Sequence, residues 1–194
     1  MIKIGPYSFR EFVDRAKEFH GFPAPGVILG GMMVDAAVKH LPPGILYNAI
    51  CETEKCLPDA IQLLTPCTIG NGWLRVQRLG RFALALFDKD KGKGIRAVLS
   101  PEKMEDWPEI ENWYYKLKPK EESDLPVLLN SIRQGGYTLI NLREIQVQPA
   151  LLVKKKRGER IICPQCREPY PSNGKGFCLA CQGESPYVNT ASDF

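Results

Sequence analysis

Histidine is almost missing from this chain: two residues, His20 and His40, in 194. That scarcity leaves no spacing suggestive of a Ser-His-Asp set. Long apolar runs are absent too. No stretch approaches the roughly 18 residues that a membrane span requires, and Met1 to Phe12 carries neither the apolar segment nor the small-residue cleavage site of a secretory signal. The expected location is therefore the cytoplasm, with no membrane partner. A phosphate cradle is missing as well, because Gly70 and Gly72 form a Gly-x-Gly that no helix follows. Nucleotide binding is not expected.

Cysteine is present in an informative pattern. Cys163-Pro-Gln-Cys166 and Cys178-Leu-Ala-Cys181 are two Cys-x-x-Cys pairs separated by eleven residues. Four thiolates at that spacing can close a tetrahedral shell around one ion, and a site with four protein ligands keeps no position open for substrate. Soft sulfur ligands suit Zn²⁺; an iron centre with the same ligands and a disulfide pair are the competing readings. Gly174 and Gly176 precede the second pair, where the backbone has to turn tightly. Cys51, Cys56 and Cys67 are left over, and in a reducing compartment they are expected as free thiols.

With 44% hydrophobic residues the chain can bury one ordinary core and still carry a small metal-held appendage. The expected organisation is a core over 1–150, a finger over 151–183 and a loosely held tail over 184–194. Net charge is only +4, but from Leu151 to Gly183 there are seven basic residues (Lys154, Lys155, Lys156, Arg157, Arg160, Arg167, Lys175) against Glu159 and Glu168. A basic finger can meet phosphate or an acidic protein; the plainer reading of Lys154 to Glu159 is a solvated turn between two strands.

Hydrophobic spacing predicts the elements. Phe9, Phe12, Val13, Ala16 and Phe19 recur every three or four residues behind a Ser8/Glu11 capping box, which predicts a helix. Gly26 to His40 reads as a central helix stopped by Pro42-Pro43, with His40 placed at its carbonyl end. A buried strand over Ile45 to Cys51 and a short helix over Pro58 to Leu64 follow. Strands are then predicted over Gly72 to Arg78 and Arg81 to Asp88, on either side of Leu79-Gly80, and over Gly94 to Ser100. Helices over Trp107 to Lys118 and, with Asp124 as cap and Pro126 in its first turn, over Asp124 to Gln134 come next. Tyr137 to Gln148 and Ala150 to Ile162 read as strands leading into the finger.

Three segments carry a resemblance: Glu18-Phe-His-Gly-Phe-Pro-Ala-Pro-Gly-Val-Ile-Leu-Gly30, Cys56-Leu-Pro-Asp-Ala-Ile-Gln62, and Leu64-Thr-Pro-Cys-Thr-Ile-Gly-Asn-Gly72. With Gly80-Arg-Phe-Ala, Gly92-Lys-Gly-Ile-Arg96, Ile140-Asn-Leu-Arg-Glu-Ile-Gln-Val and the paired cysteines, the chain resembles the formylmethanofuran dehydrogenase E-subunit family over nearly its whole length. The resemblance implies an α+β fold, with helices packed on a mixed sheet, and then a small treble-clef-like or ribbon-like zinc finger. It also implies a homodimer. Family members often carry His-Gly-His-x-Cys-Pro-Gly at the start of the central helix; here two donor positions are Phe22 and Ala24. What remains for a core metal site is His20, Cys56 and Cys67, with Asp59, Gln62 and Thr68 as residues that orient them.

Three ligands plus water would make an open site for a second transition metal, and a degraded site is equally compatible. Taken on their own, the same residues read as packing thiols, a histidine at a helix end and an aspartate satisfying helix amides. Cys51 reads as packing. The implied role is that of a metal-binding protein accessory to a molybdenum or tungsten oxidoreductase or to a one-carbon pathway, with oxidoreductase subunits as partners. The chain shows no ligand set for a pterin or an iron-sulfur cluster, so dehydrogenase activity by the chain alone is not expected. A zinc-finger regulatory or nucleic-acid-binding protein using the basic finger is the alternative, and a small independent metalloenzyme at His20 is a third reading.

Overall fold

The computed structural model describes residues 2–153, 158–172, 174 and 176–187. The basic residues Lys154, Lys155, Lys156, Arg157 and Lys175, and residues 188–194 of the expected tail, lie outside the described residues. Two compact units divide the chain, Met1–Leu152 and Val153–Phe194.

The first unit opens with a short antiparallel pair, β1 (Lys3–Ile4) and β2 (Tyr7–Ser8), which hydrophobic spacing does not announce. Helix α1 (Phe9–His20) starts where the capping box predicts. The Ser8 N–H donates to the Glu11 carboxylate at 2.7 Å and the Glu11 N–H donates to the Ser8 hydroxyl at 3.3 Å. Those bonds hold the Glu11 carboxyl below its usual range. Gly21 ends the helix in the left-handed conformation (φ 93°). Helix α2 (Pro25–Lys39) buries twelve of its fifteen residues. A helix apolar all round must be covered on every side, and the cover comes from α1, from α3 (Leu57–Leu64) and from the sheet. Gly31 lies against the Phe12 ring, which a Cβ there would overlap.

The five-stranded sheet is mixed. Its strands are β3 (Tyr47–Cys51), β4 (Leu74–Val76), β5 (Ala83–Asp88), β6 (Lys93–Leu99) and β7 (Ile140–Gln146), in the order β4-β3-β5-β6-β7. Only β3 and β4 run parallel, joined through α3. The strands that flank Leu79-Gly80, β4 and β5, are not neighbours in the sheet. The connection crosses the end of β3, where the Gln77 N–H donates to Cys51 O (2.7 Å) and the Leu79 and Arg81 N–H groups donate to Glu52 O (3.2 and 3.3 Å), so β3 lies between them. β5 and β6 form a hairpin whose turn is held by Asp88, which accepts from the Asp90 and Lys91 N–H groups at 2.8 and 2.7 Å.

Both faces of β5 are covered. Leu84 and Leu86 join the main cluster under α2, while Ala85 and Phe87 meet Ile50 and Val147 on the other face, with Leu151 and Leu152 packed against them. Between β6 and β7 come α4 (Pro101–Met104), α5 (Pro108–Tyr115), a single 3-10 turn at Lys120–Glu122 and α6 (Leu125–Gly135), whose Val127 N–H donates to the Asp124 side chain at 3.1 Å. Leu151 and Leu152 belong to α7 (Pro149–Leu152), where a strand over Ala150 to Ile162 is expected. Proline suits the first turn of a helix, and the leucines turn towards Phe87 rather than extending along an edge. Among the described residues the next strand is β8 (Arg160–Ile162).

Two buried carboxylates are paired. Asp35 of α2 accepts from the Lys39 ammonium at 2.6 Å and from the Tyr137 hydroxyl, and burial followed by that contact pushes the Tyr137 phenol well up. Glu52, 5% exposed, accepts a two-pronged bond from Arg96 (2.7 and 2.9 Å) and one from Arg81 (2.6 Å). The Arg96 bonds hold the Glu52 carboxyl below the ordinary range. Glu52 ionised in the fold therefore stabilises it above the unfolded-chain pKa of about 4.3, and the contribution is lost as pH falls through the lower folded value. Arg96→Ala is expected to cost about 2 kcal/mol in urea unfolding at pH 7, since Arg81 stays as a single partner, and to shrink the acid dependence below about pH 4.

Candidate metal centre

In the second unit β8 pairs antiparallel with β9 (Pro169–Pro171), Ile161 opposite Tyr170. The first knuckle is the turn between them. The Cys163 N–H donates to Glu168 O and the Arg167 N–H donates to Cys163 O, both at 2.9 Å, with Arg167 at φ 63°. The second pair enters a 3-10 turn at Ala180–Gln182, where the Gln182 N–H lies 3.1 Å from Cys178 O and Gly183 closes the turn at φ 100°. Gly174 and Gly176 take positive φ, 81° and 74°, as the tight approach to Cys178 requires.

These turns bring the four sulfurs together. Their Sγ atoms all lie within 4.8 Å of one another, and Cys166 and Cys178 are 3.7 Å apart. Zinc–sulfur bonds of about 2.3 Å in a tetrahedron give edges of about 3.8 Å, whereas a disulfide needs about 2.05 Å. All seven cysteines are free thiols. The electrostatics also call for a cation. Backbone N–H donation, that of Cys178 first, lowers the Cys163 thiol to about 6, while desolvation and then the neighbouring sulfurs push Cys181 up to about 12. Thiols so crowded ionise together only when a metal neutralises them.

In the core the expected ligands are spread out. His20, at the end of α1, places Nδ1 2.6 Å from the Asp59 carboxylate on α3. Cys56, half-buried at the start of α3, sits at φ 59° and ψ −55°, with the Leu57 N–H donating to Lys55 O at 2.6 Å. That is a γ-turn in its rare, strained form. The thiol packs against Gly26, where a Cβ would stand 3.1 Å from its sulfur, and burial first, then Asp59, pushes its pKa up. Cys67 is fully buried, its thiol donating to Tyr47 O at 3.5 Å, and burial raises it as well.

The structure thus joins His20 to Asp59 and sets Cys56 on the same helix as Asp59, but Cys67 faces another carbonyl. Among the described residues, the four finger cysteines form the one group of three or more ligating side chains gathered closely enough to hold an ion. Gln62 and Thr68 serve the Pro66–Trp73 loop: Gln62 accepts from the Ile69 N–H (3.3 Å) and Thr68 accepts from the Asn71 N–H (3.1 Å). Asn71, which the sequence gives no reason to single out, is the hub of that loop, accepting from the Thr68 and Trp73 N–H groups. Cys51 is buried, its thiol donating to Thr53 O at 3.0 Å and burial pushing it up to about 11.

Phe22 and Ala24, which stand at the two donor positions of the family motif, open onto a cavity. Phe22, Ala24, Gly26, Cys56, Trp113 and Leu128 border this cavity, of about 500 Å³, at the amino end of α2. Its walls come from segments about a hundred residues apart.

An α+β core followed by a four-thiolate treble clef defines the class: a metal-binding protein with a structural zinc finger. The chain belongs to the FmdE family. Residues 19–147 match the family described as "FmdE, Molybdenum formylmethanofuran dehydrogenase operon", and residues 154–188 match the "FmdE treble clef zinc finger". Its structure is similar to the crystal structure of a tungsten formylmethanofuran dehydrogenase FmdE-like protein from Syntrophus aciditrophicus, with a TM-score of 0.88 and 52% identity over 96% of this chain and 98% of that one. In sequence it is 29% identical over 196 residues to a probable S-adenosyl-L-methionine-binding protein of Archaeoglobus fulgidus, covering 87% of this chain and 52% of that protein. The chain spans about half the length of that curated relative.

Cys163→Ser or Cys181→Ser is expected to remove the finger's zinc and unfold the segment after residue 152, because a unit this small stores its folding free energy in metal bonds. Proteolysis with metal analysis reads this directly: cleavage confined to the second unit is the expected pattern, and full zinc retention with unchanged protease resistance in both variants is the opposite one.

Proposed function

We propose that this chain is an accessory, zinc-stabilised protein that acts with a molybdenum or tungsten oxidoreductase or in the associated one-carbon pathway, and that it does not itself carry the redox centre. The observation that carries this reading is the end-to-end similarity to the tungsten formylmethanofuran dehydrogenase FmdE-like protein, both core and finger included. The distribution of sulfur supports it. Four cysteines belong to the finger, and Cys51, Cys56 and Cys67 sit on separate elements, so they do not together make a cluster-binding motif. We place the protein in the cytoplasm, in keeping with its free thiols. Among the described residues no helix is long and apolar enough to cross a membrane.

The proposed assembly is a homodimer, the commonest symmetric form. The apolar residues of α2 are spent inside the chain and do not supply its contact, so this element of the reading rests on the family resemblance. A second transition ion on His20, Cys56 and Cys67 would take Nε2 of His20 while Asp59 holds Nδ1, and would require the Cys67 thiol to leave the Tyr47 carbonyl. The four finger cysteines supply one zinc site per chain, and a core ion would be a second. Elemental analysis finding two ions, the second lost on joint replacement of His20, Cys56 and Cys67, would establish a core centre.

The accessory role is tested by mixing the purified chain with the purified molybdenum or tungsten formylmethanofuran dehydrogenase of its source organism. Co-elution at micromolar concentration, with a change in the specific activity of the oxidoreductase, is expected. Separate elution with unchanged activity would refute the role.

A further inference from the structure

We propose that the cavity at the amino end of α2 is a binding site for a small monoanion with an aromatic body, such as a two-ring carboxylic acid. At about 500 Å³ it has the size of small-ligand sites generally. Its floor and sides are apolar. Ala24 and Pro25 lead into α2, Leu125 and Leu128 come from α6, and Phe22 and Trp113 contribute rings. Rings bordering a cavity favour a flat aromatic guest, which can stack or meet them edge-on while burying its faces.

The polar groups fix the sign of the guest. Lys116 and Lys118 line the cavity together with one carboxylate, Glu109. Helix α2 opens on the same side: its N-cap Ala24 supplies no side-chain acceptor and Pro25 has no N–H, so the positive end of a fifteen-residue helix borders the cavity without a capping side chain. Both features attract negative charge. A metal guest does not fit, because the lining includes one thiol, Cys56, and one carboxylate, Glu109, and no imidazole. The inference is independent of the accessory role, since it rests only on the walls of the cavity.

The test titrates the zinc-loaded full chain with three naphthalene probes of similar size, 1-naphthoate, 1-naphthylmethanol and 1-naphthylmethylammonium, by calorimetry. Naphthoate is expected to saturate one site per chain with Kd below about 1 mM, a bound suited to a ligand of this size. The neutral alcohol should bind about fivefold more weakly and the cation more weakly again, given the modest strength of charge pairs open to solvent. Lys116→Asn, with a residue that tolerates the left-handed backbone at this position (φ 55°), combined with Lys118→Gln, should bring acid and alcohol to equal affinity. A second readout needs no variant: Cys56 borders the cavity, so saturating naphthoate should slow its alkylation by iodoacetamide about threefold or more, as read by peptide mass mapping. The proposal is overturned if naphthoate shows no saturable binding, if the three probes bind equally, or if saturating naphthoate leaves Cys56 alkylation unchanged.

Discussion

The core is organised by the need to cover α2, a helix with no polar face, and the positions of its neighbours follow from that need. Val27, Ile28, Leu29, Met32, Met33 and Val34 are fully buried, so α1, α3 and the sheet must each supply apolar surface to a different side. At roughly 25 cal/mol per Å² of apolar area, such burial supplies the largest favourable term in the fold. Close cover needs small residues at the crossings. Gly30 admits Leu57, since a Cβ there would stand 2.8 Å from its Cδ1, and Gly31 admits Phe12. The one ionisable residue within the buried stretch, Asp35, is tolerated because Lys39 and Tyr137 satisfy it.

The second unit solves the same problem with different physics. Its described residues include too few buried apolar side chains to balance the entropy of ordering its turns, and Cys163 is the fully buried member among its four thiols. What holds it is directional: two turns, each with positive-φ residues beside a Cys-x-x-Cys pair, aim four sulfurs at one point. The two units therefore respond to different challenges. Chelation acts on the second, whereas the first depends on packing and on charges such as Glu52, whose pairing with Arg96 is tuned by pH.

What was legible in the sequence was local. The Ser8/Glu11 box and Asp124 mark helix starts because the side chain and the amide it caps lie three residues apart. The finger was legible for the same reason, since each pair of ligands is fixed by a tight turn. Strand order was not. β4 is only three residues long and lies parallel to β3, a pairing decided by the α3 crossover and by amides reaching Glu52 O across the sheet end. The helix α7 was hidden because Leu151 and Leu152 are apolar in either conformation, and only the Phe87 cluster decides. In the core, the family motif draws attention to His20, Cys56 and Cys67 without showing that Asp59 holds the Nδ1 of His20 or that the Cys67 thiol meets the Tyr47 carbonyl. The cavity walls, from α2, α5 and α6, meet only in three dimensions.

The strained turn at Cys56 follows from the cover that α2 demands. A non-glycine residue in this region of backbone space costs on the order of 1–3 kcal/mol and persists only where its surroundings impose it. Here they do so from both sides. Cys56 O already accepts from the Asp59 and Ala60 N–H groups, fixing the first turn of α3, while Leu57 is fully buried against Gly30. Relaxing Cys56 would swing Leu57 out of the core at a cost of about 2 kcal/mol or more for a buried leucine, which exceeds or matches the strain relieved. The same constraint fixes the thiol beside Gly26, where no larger residue fits. A cysteine held in this way is fixed at the cavity wall by the packing of α3 on α2.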